Sequence, residues 1–202
     1  MKPIDLNHTI VNIVYYTQPL CPVSWRMQQH WHEFTTKFSE LINVRFCLVT
    51  SDTMSRSPNG SGCEPSNTRA CQAVKAVSLQ SQRAANLYMN ALRKAALADG
   101  RDISLSRVLV DLAREISREN HGILDLQKFG TDFDSPATRR ALQRDALKIR
   151  TNKIDSCPTI TFTVNGHGFK ATGFHSFQQL AAMLRRALTS TSPSASDLRS
   201  RV

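Results

Sequence analysis

Two strand-rich ends enclose a long helical middle, and this order constrains the fold of the chain more than any single residue does. Ile10-Val11-Asn12-Ile13-Val14-Tyr15-Tyr16 is β-branched and aromatic and predicts a buried strand. Thr17-Gln18-Pro19-Leu20 breaks it, and Cys21-Pro22 sets a proline where the first turn of a helix accepts one. From residue 23 to about 38, Trp25, Met27, Trp31, Phe34 and Phe38 recur at three- and four-residue steps, the period of a helix. Residues 44–50 form a second predicted strand. Strand, helix and strand in that order suit a parallel pair joined by a crossover helix.

Residues 51–67 are rich in Ser, Pro, Gly and Asn and read as a loop. From 68 to about 150 the pattern is helical. Val74, Val77, Leu79, Ala84, Leu87, Leu92 and Leu97 are candidate core in a stretch over 70–98, which Asp99-Gly100 ends. Further helices are expected over 104–117 and 123–129, and from Ser135-Pro136, a cap and a first-turn proline, to about Ile149. Strand character returns in Pro158-Thr159-Ile160-Thr161-Phe162-Thr163-Val164. Asn165-Gly166 signals a hairpin back through Phe169 to Gly173, and residues 177–188 close with a helix. The prediction is an α/β sheet capped by helices. Residues 1–65 and 150–188 make one discontinuous unit, 66–149 an all-helical insertion, and the Ser-rich 189–202 a disordered tail.

Composition narrows the function classes. The 202 residues carry 26 Lys+Arg against 16 Asp+Glu, a net charge of +10. Such a balance invites a nucleic-acid partner. The basic residues are scattered as singles and pairs such as Arg93-Lys94, Arg139-Arg140 and Arg185-Arg186, without interleaved aromatics, which argues against one. No apolar run approaches the roughly 18 residues of a membrane span. Met1-Lys2-Pro3-Ile4-Asp5 lacks the apolar run and cleavage site of a secretory signal, so a cytoplasmic protein is expected. The cysteines number five (Cys21, Cys47, Cys63, Cys71 and Cys157), with no Cys-x-x-Cys pair and no His at zinc-finger spacing. A disulfide framework and structural zinc are not expected.

Four places along the chain resemble the DsbA-like branch of the thioredoxin superfamily. They are strand then Gln18-Pro19-Leu20-Cys21-Pro22-Val23-Ser24-Trp25 then helix; Ala70-Cys71-Gln72-Ala73-Val74 opening the helical block; the helix over 104–116; and Cys157-Pro158-Thr159-Ile160 before the hairpin and last helix. The match spans roughly residues 10–188 and looks closest to the cytosolic polyketide-oxidoreductase and adaptor-like subgroup. The resemblance implies a thioredoxin-like fold with a large helical insertion. It also implies a redox-active Cys21, a cis peptide before Pro158, and Pro22, Trp25 and Pro158 as a substrate-binding rim. Two departures stand out. Ser24 occupies the position of the family's second active-site cysteine, and Cys157 precedes the proline.

A thiol at a helix N-terminus faces unpaired backbone N–H groups and the positive end of the dipole, and both favour thiolate, the attacking species in disulfide exchange. Arg26, one turn on, is a candidate helper. Ser24 cannot resolve a mixed disulfide, so the site reads as monothiol. In the arrangement that the resemblance implies, Cys157 lies against Cys21, able to pair with it or to share a soft metal; the bland alternative is a small apolar space-filler. Cys63 and Cys71, eight apart at a loop-to-helix junction, read as free thiols, with a surface disulfide under oxidation as the alternative, and Cys47 as core. His30 and His32, two apart on a helix, point to different faces. His167 and His175 read as surface residues.

Three functions follow from these residues. One is a thiol–disulfide oxidoreductase with Cys21 as nucleophile and Ser24 and Cys157 beside it, acting on protein thiols and disulfides or on glutathione. It would need no bound cofactor, glutathione serving at most as co-substrate. Another is a non-catalytic adaptor presenting its helical insertion to a protein partner. The last is a glutathione-dependent transferase or isomerase using Ser24.

Overall fold

The computed structural model describes residues 10–50 and 67–189. Strand β1 (Val11–Thr17) buries Val11, Ile13 and Tyr15 on one face while Asn12 is exposed; beyond Tyr15 both faces are covered, and Tyr16 and Thr17 are buried as well. Helix α1 (Pro22–Lys37) follows, with Met27, Trp31 and Phe34 buried against the sheet. Strand β2 (Ile42–Leu48) lies parallel to β1, with Tyr15 opposite Phe46. The expected start at residue 44 is two residues late. Asparagine is depleted in strands, but Asn43 pairs with Asn12, and its amide donates to the Asn12 carboxamide oxygen at 3.1 Å.

Five helices come next: α2 (Asn67–Ser78), α3 (Gln82–Leu97), α4 (Ser106–Glu119), α5 (Leu126–Phe133) and α6 (Pro136–Thr151). The stretch over 70–98 is two helices. Ser81 stops the first and caps the second, its hydroxyl accepting from the Ala84 N–H at 3.0 Å. Leu79, in that break, is exposed, contrary to its expected place in the core. Ser135 caps α6 and Pro136 opens it, as the sequence predicts. Cys63 lies outside the described residues; Cys71 is fully buried, with its thiol 3.9 Å from the Val49 carbonyl.

Strands β3 (Thr159–Val164) and β4 (His167–Thr172) form the hairpin. Asn165 and Gly166 have φ of 50° and 81°, the left-handed pair that a two-residue type I′ turn requires. Helix α7 (Phe177–Thr189) closes the described chain; the rest of the predicted tail, 190–202, lies outside it. The sheet order is β2-β1-β3-β4, with β3 antiparallel to β1, so β1 is central.

The helical block covers the open edge of β2. Lys75 of α2 and Asp145 of α6 form a buried ion pair at 2.6 Å. Lys75 Nζ donates to the Phe46 carbonyl at 2.9 Å, and the Leu48 N–H donates to Asp145 at 2.7 Å. An edge strand's unpaired N–H and C=O groups are thus satisfied by two charged side chains rather than by another strand. One apolar core runs through both parts, from Ile13 and Phe162 of the sheet to Tyr88 and Leu112 of the block. Among the described residues no helix is long and apolar enough to cross a membrane.

Candidate active site

Cys21 sits where β1 has ended and α1 begins. Its N–H donates to the Gln18 carbonyl at 3.3 Å, and its own carbonyl accepts the first helical bond from Trp25 at 3.0 Å. Pro22 takes the first helical position, where no N–H is needed. Cys21 is therefore the N-cap, and its sulfur accepts from the Ser24 N–H at 3.4 Å, the role a serine or aspartate oxygen usually fills. The residue is only 3% exposed. Burial alone would raise its pKa. The donors around it win: a hydrogen bond from the Cys157 thiol is the largest influence, and the Ser24 hydroxyl and the Ser24 and Val23 N–H groups add to it. Together they lower the Cys21 thiol from its ordinary 9.0 to about 5.

Cys157 is brought to Cys21 by the loop before β3. The Cys157–Pro158 peptide is cis. With Cys21 protonated, its thiol donates to the Cys157 carbonyl at 3.6 Å; the Cys157 thiol also points toward the Tyr16 carbonyl, at 4.0 Å. The neighbouring Cys21 sulfur and then burial push the Cys157 thiol well above its ordinary value. The two thiols hold one easily lost proton and one retained proton, and they titrate as a pair. Both are free, and Cys157 is partly exposed.

The structure thus brings Cys21, Ser24, Cys157 and Pro158 together. Pro22 is exposed beside them. Trp25 is half-buried and lines a surface depression of about 380 Å³ with Arg26, Gln28 and Asn90, on the side of α1 that faces α3. Arg26, the expected helper, is exposed in that depression, and neutral donors take its place. His175, expected at the surface, is half-buried; burial lowers the pKa of its ring, and its backbone N–H donates to the Met27 sulfur at 3.4 Å.

Beneath the thiols lies a polar cluster absent from the sequence-based expectation. Ser24 is fully buried, its hydroxyl 2.8 Å from that of Thr17. Thr17 in turn accepts from the guanidinium of Arg93 at 2.6 Å. Arg93 comes from α3, is 1% exposed, and stands 5.8 Å over the Tyr15 ring. In sequence it belongs to Arg93-Lys94, one of the scattered basic pairs. The available signal was periodicity: Ala85, Met89 and Leu92 place position 93 on the buried face of α3.

The family model described as thioredoxin matches residues 15–182. The ClpXP adapter protein SpxH of Bacillus licheniformis is 22% identical over 197 residues, an alignment taking in 83% of this chain and 64% of the adapter. The chain thus spans a little under two thirds of that relative's length. Among solved structures, a putative protein disulfide isomerase from Nitrosomonas europaea superposes with a TM-score of 0.75 at 13% identity, covering 91% of this chain and 100% of that one. Reduced DsbA1 from Neisseria meningitidis gives 0.64 at 12% identity, covering 94% and 89%. At such identities the structural likeness establishes the fold, a thioredoxin-like α/β sheet with the helical elaboration of DsbA-like proteins.

Proposed function

This chain belongs to the thioredoxin family, and from that premise we propose that it is a DsbA-like thiol–disulfide oxidoreductase with a Cys21-x-x-Ser24 site. The Cys21 thiolate attacks one sulfur of a substrate disulfide. A Cys21–substrate mixed disulfide forms, and the other substrate sulfur leaves as a thiolate that takes a proton from solvent. Ser24 cannot complete the exchange. Two groups can: the thiolate of Cys157, leaving a Cys21–Cys157 disulfide and a reduced substrate, or an external thiol such as glutathione, which restores Cys21 and carries the substrate away as a mixed disulfide. The observation that carries this reading is the Cys21 sulfur at the N-cap of α1, ringed by donors that lower its pKa to about 5.

Substrates in this reading are protein thiols and disulfides or glutathione, with no bound cofactor. Pro22, Trp25 and the strand entered through Pro158 are the proposed substrate rim, where extended backbone finds sheet-like partners. We place the chemistry in the cytoplasm; the odd cysteine count and the buried, free Cys47 support a reducing compartment.

An adaptor role is the second reading. Its support is the likeness to SpxH, together with a cleft of about 610 Å³ between α1, the start of β2 and α3, lined by His32, Asn43, Asn86 and Asn90. A glutathione transferase using Ser24 has less support, because that hydroxyl is fully buried beneath Cys21. Intact-mass analysis after incubation with oxidised glutathione separates the readings. One glutathione on Cys21 is the outcome expected of the oxidoreductase; a chemically inert Cys21 favours the adaptor.

A further inference from the structure

Arg93 is among the largest fully buried side chains of the molecule, yet among the described residues no ion pair joins it to a carboxylate. Its Nε has no hydrogen-bond partner. One guanidinium nitrogen donates to the Thr17 hydroxyl at 2.6 Å and lies 3.5 Å from the Gln18 carbonyl. Buried charges are expensive unless an opposite charge answers them. The Arg93 charge acts on Tyr15 of β1 and on Cys157 before β3, and Thr17 joins it to Ser24 and so to Cys21 at the start of α1. Of these, only the thiol pair gives an anion near neutral pH.

The direction of the hydrogen bonds follows from the donor inventory. Guanidinium has five N–H donors and no acceptor. Thr17 must therefore accept from Arg93, and its hydrogen is free for the Ser24 oxygen 2.8 Å away. Ser24, having accepted from Thr17, has its own hydrogen left to give. Two groups can take it, the Tyr15 hydroxyl beside Ser24 and the Cys21 sulfur, which the Ser24 N–H already reaches at 3.4 Å; only the sulfur carries negative charge near neutral pH, and the Ser24 hydroxyl is among the donors that favour its thiolate.

We propose that Arg93 is a positioning residue that polarises a one-way relay, Arg93 to Thr17 to Ser24 to the Cys21 sulfur, and serves as the buried counter-ion of the Cys21–Cys157 thiol pair. The serine that stands in place of a second cysteine is on this view a fixed donor to the nucleophile, held by a residue from the helical block. The inference rests on the proposed role of Cys21 as thiolate nucleophile and adds the residue that orients it.

The test is a pH titration of thiolate ultraviolet absorbance, referenced to Cys21→Ser, on the wild type, Arg93→Gln, Arg93→Lys and Thr17→Val, with folding checked by circular dichroism. A low wild-type midpoint is expected. Arg93→Gln and Thr17→Val raise it by about one pH unit or more, the scale of losing a charge or a hydrogen bond to the ionised form. Arg93→Lys, still a donor-only cation, stays closer to wild type. A merely structural Arg93 would lower the melting temperature and leave the midpoint where it was; that result, in folded variants, overturns the relay. Should Arg93→Gln fail to fold, Thr17→Val decides alone. A wild-type midpoint near the ordinary cysteine value overturns the nucleophile itself, a result distinct from failure of the relay.

Discussion

At Cys21, donors pull the thiol toward its anion while burial resists, and the largest single donor is another thiol. Replacing Cys157 by alanine removes that donor, so the Cys21 midpoint should rise from about 5 by at least about one unit. Cys157→Ser, which keeps a donor, should move it less; site-resolved iodoacetamide rates against pH measure both. The same shift makes stability depend on pH. Cys21 is a group whose pKa is depressed on folding, from 9.0 to about 5, so its contribution is full above the unfolded value and disappears as pH falls through the folded one. The Cys157 shift is in the opposite sense and acts above 9, outside that window. The stability gap between wild type and Cys21→Ser should therefore grow by at most about 1.4 kcal/mol per pH unit from pH 5 to 9, as urea melts would report. Cys21 was legible in sequence because a helix-opening Cys-Pro after a strand is a local pattern. Thr17 and Arg93 were not, because their meaning lies in a contact between residues 76 positions apart.

The elements themselves were legible where their signals are local. Asn165-Gly166 declared its hairpin, and Ser135-Pro136 its helix start. The break at Ser81 was hidden because Ala and Leu continue on both sides of it and the cap is a single hydroxyl. The edge of β2 was harder still. Lys75 and Asp145 look like surface charges on two amphipathic helices, and only the packed structure shows them buried together on the Phe46 carbonyl and the Leu48 N–H. Asp145→Asn should leave Lys75 as an uncompensated buried charge and cost about 3–5 kcal/mol, measurable by chemical denaturation. Exchanging the pair for apolar residues of similar size should cost much less in charge terms, but it would leave the strand edge unsatisfied.

For the molecule as a whole, the helical block and the sheet share one core, and the block brings the buried Arg93 to the site. The order of elements was enough to read this architecture, because strand–helix–strand and strand–strand–helix flanking a helical block fit few other arrangements. The adaptor and oxidoreductase readings diverge at turnover. Ser24→Cys should install a resolving thiol and raise disulfide-reductase activity above wild type, since the mixed disulfide then opens from within. A folded Ser24→Cys with a reactive Cys21 and no gain would mean that substrates do not reach the site. The central claim is that Cys21 is a thiolate at neutral pH because of where the fold puts it. Its most direct measurement is the alkylation rate of each cysteine against pH, read peptide by peptide in the native protein. Cys21 should react first, with a midpoint near 5, while Cys47 and Cys71 stay protected by burial. A Cys21 midpoint near its ordinary 9.0, or faster labelling elsewhere at pH 6, would contradict it.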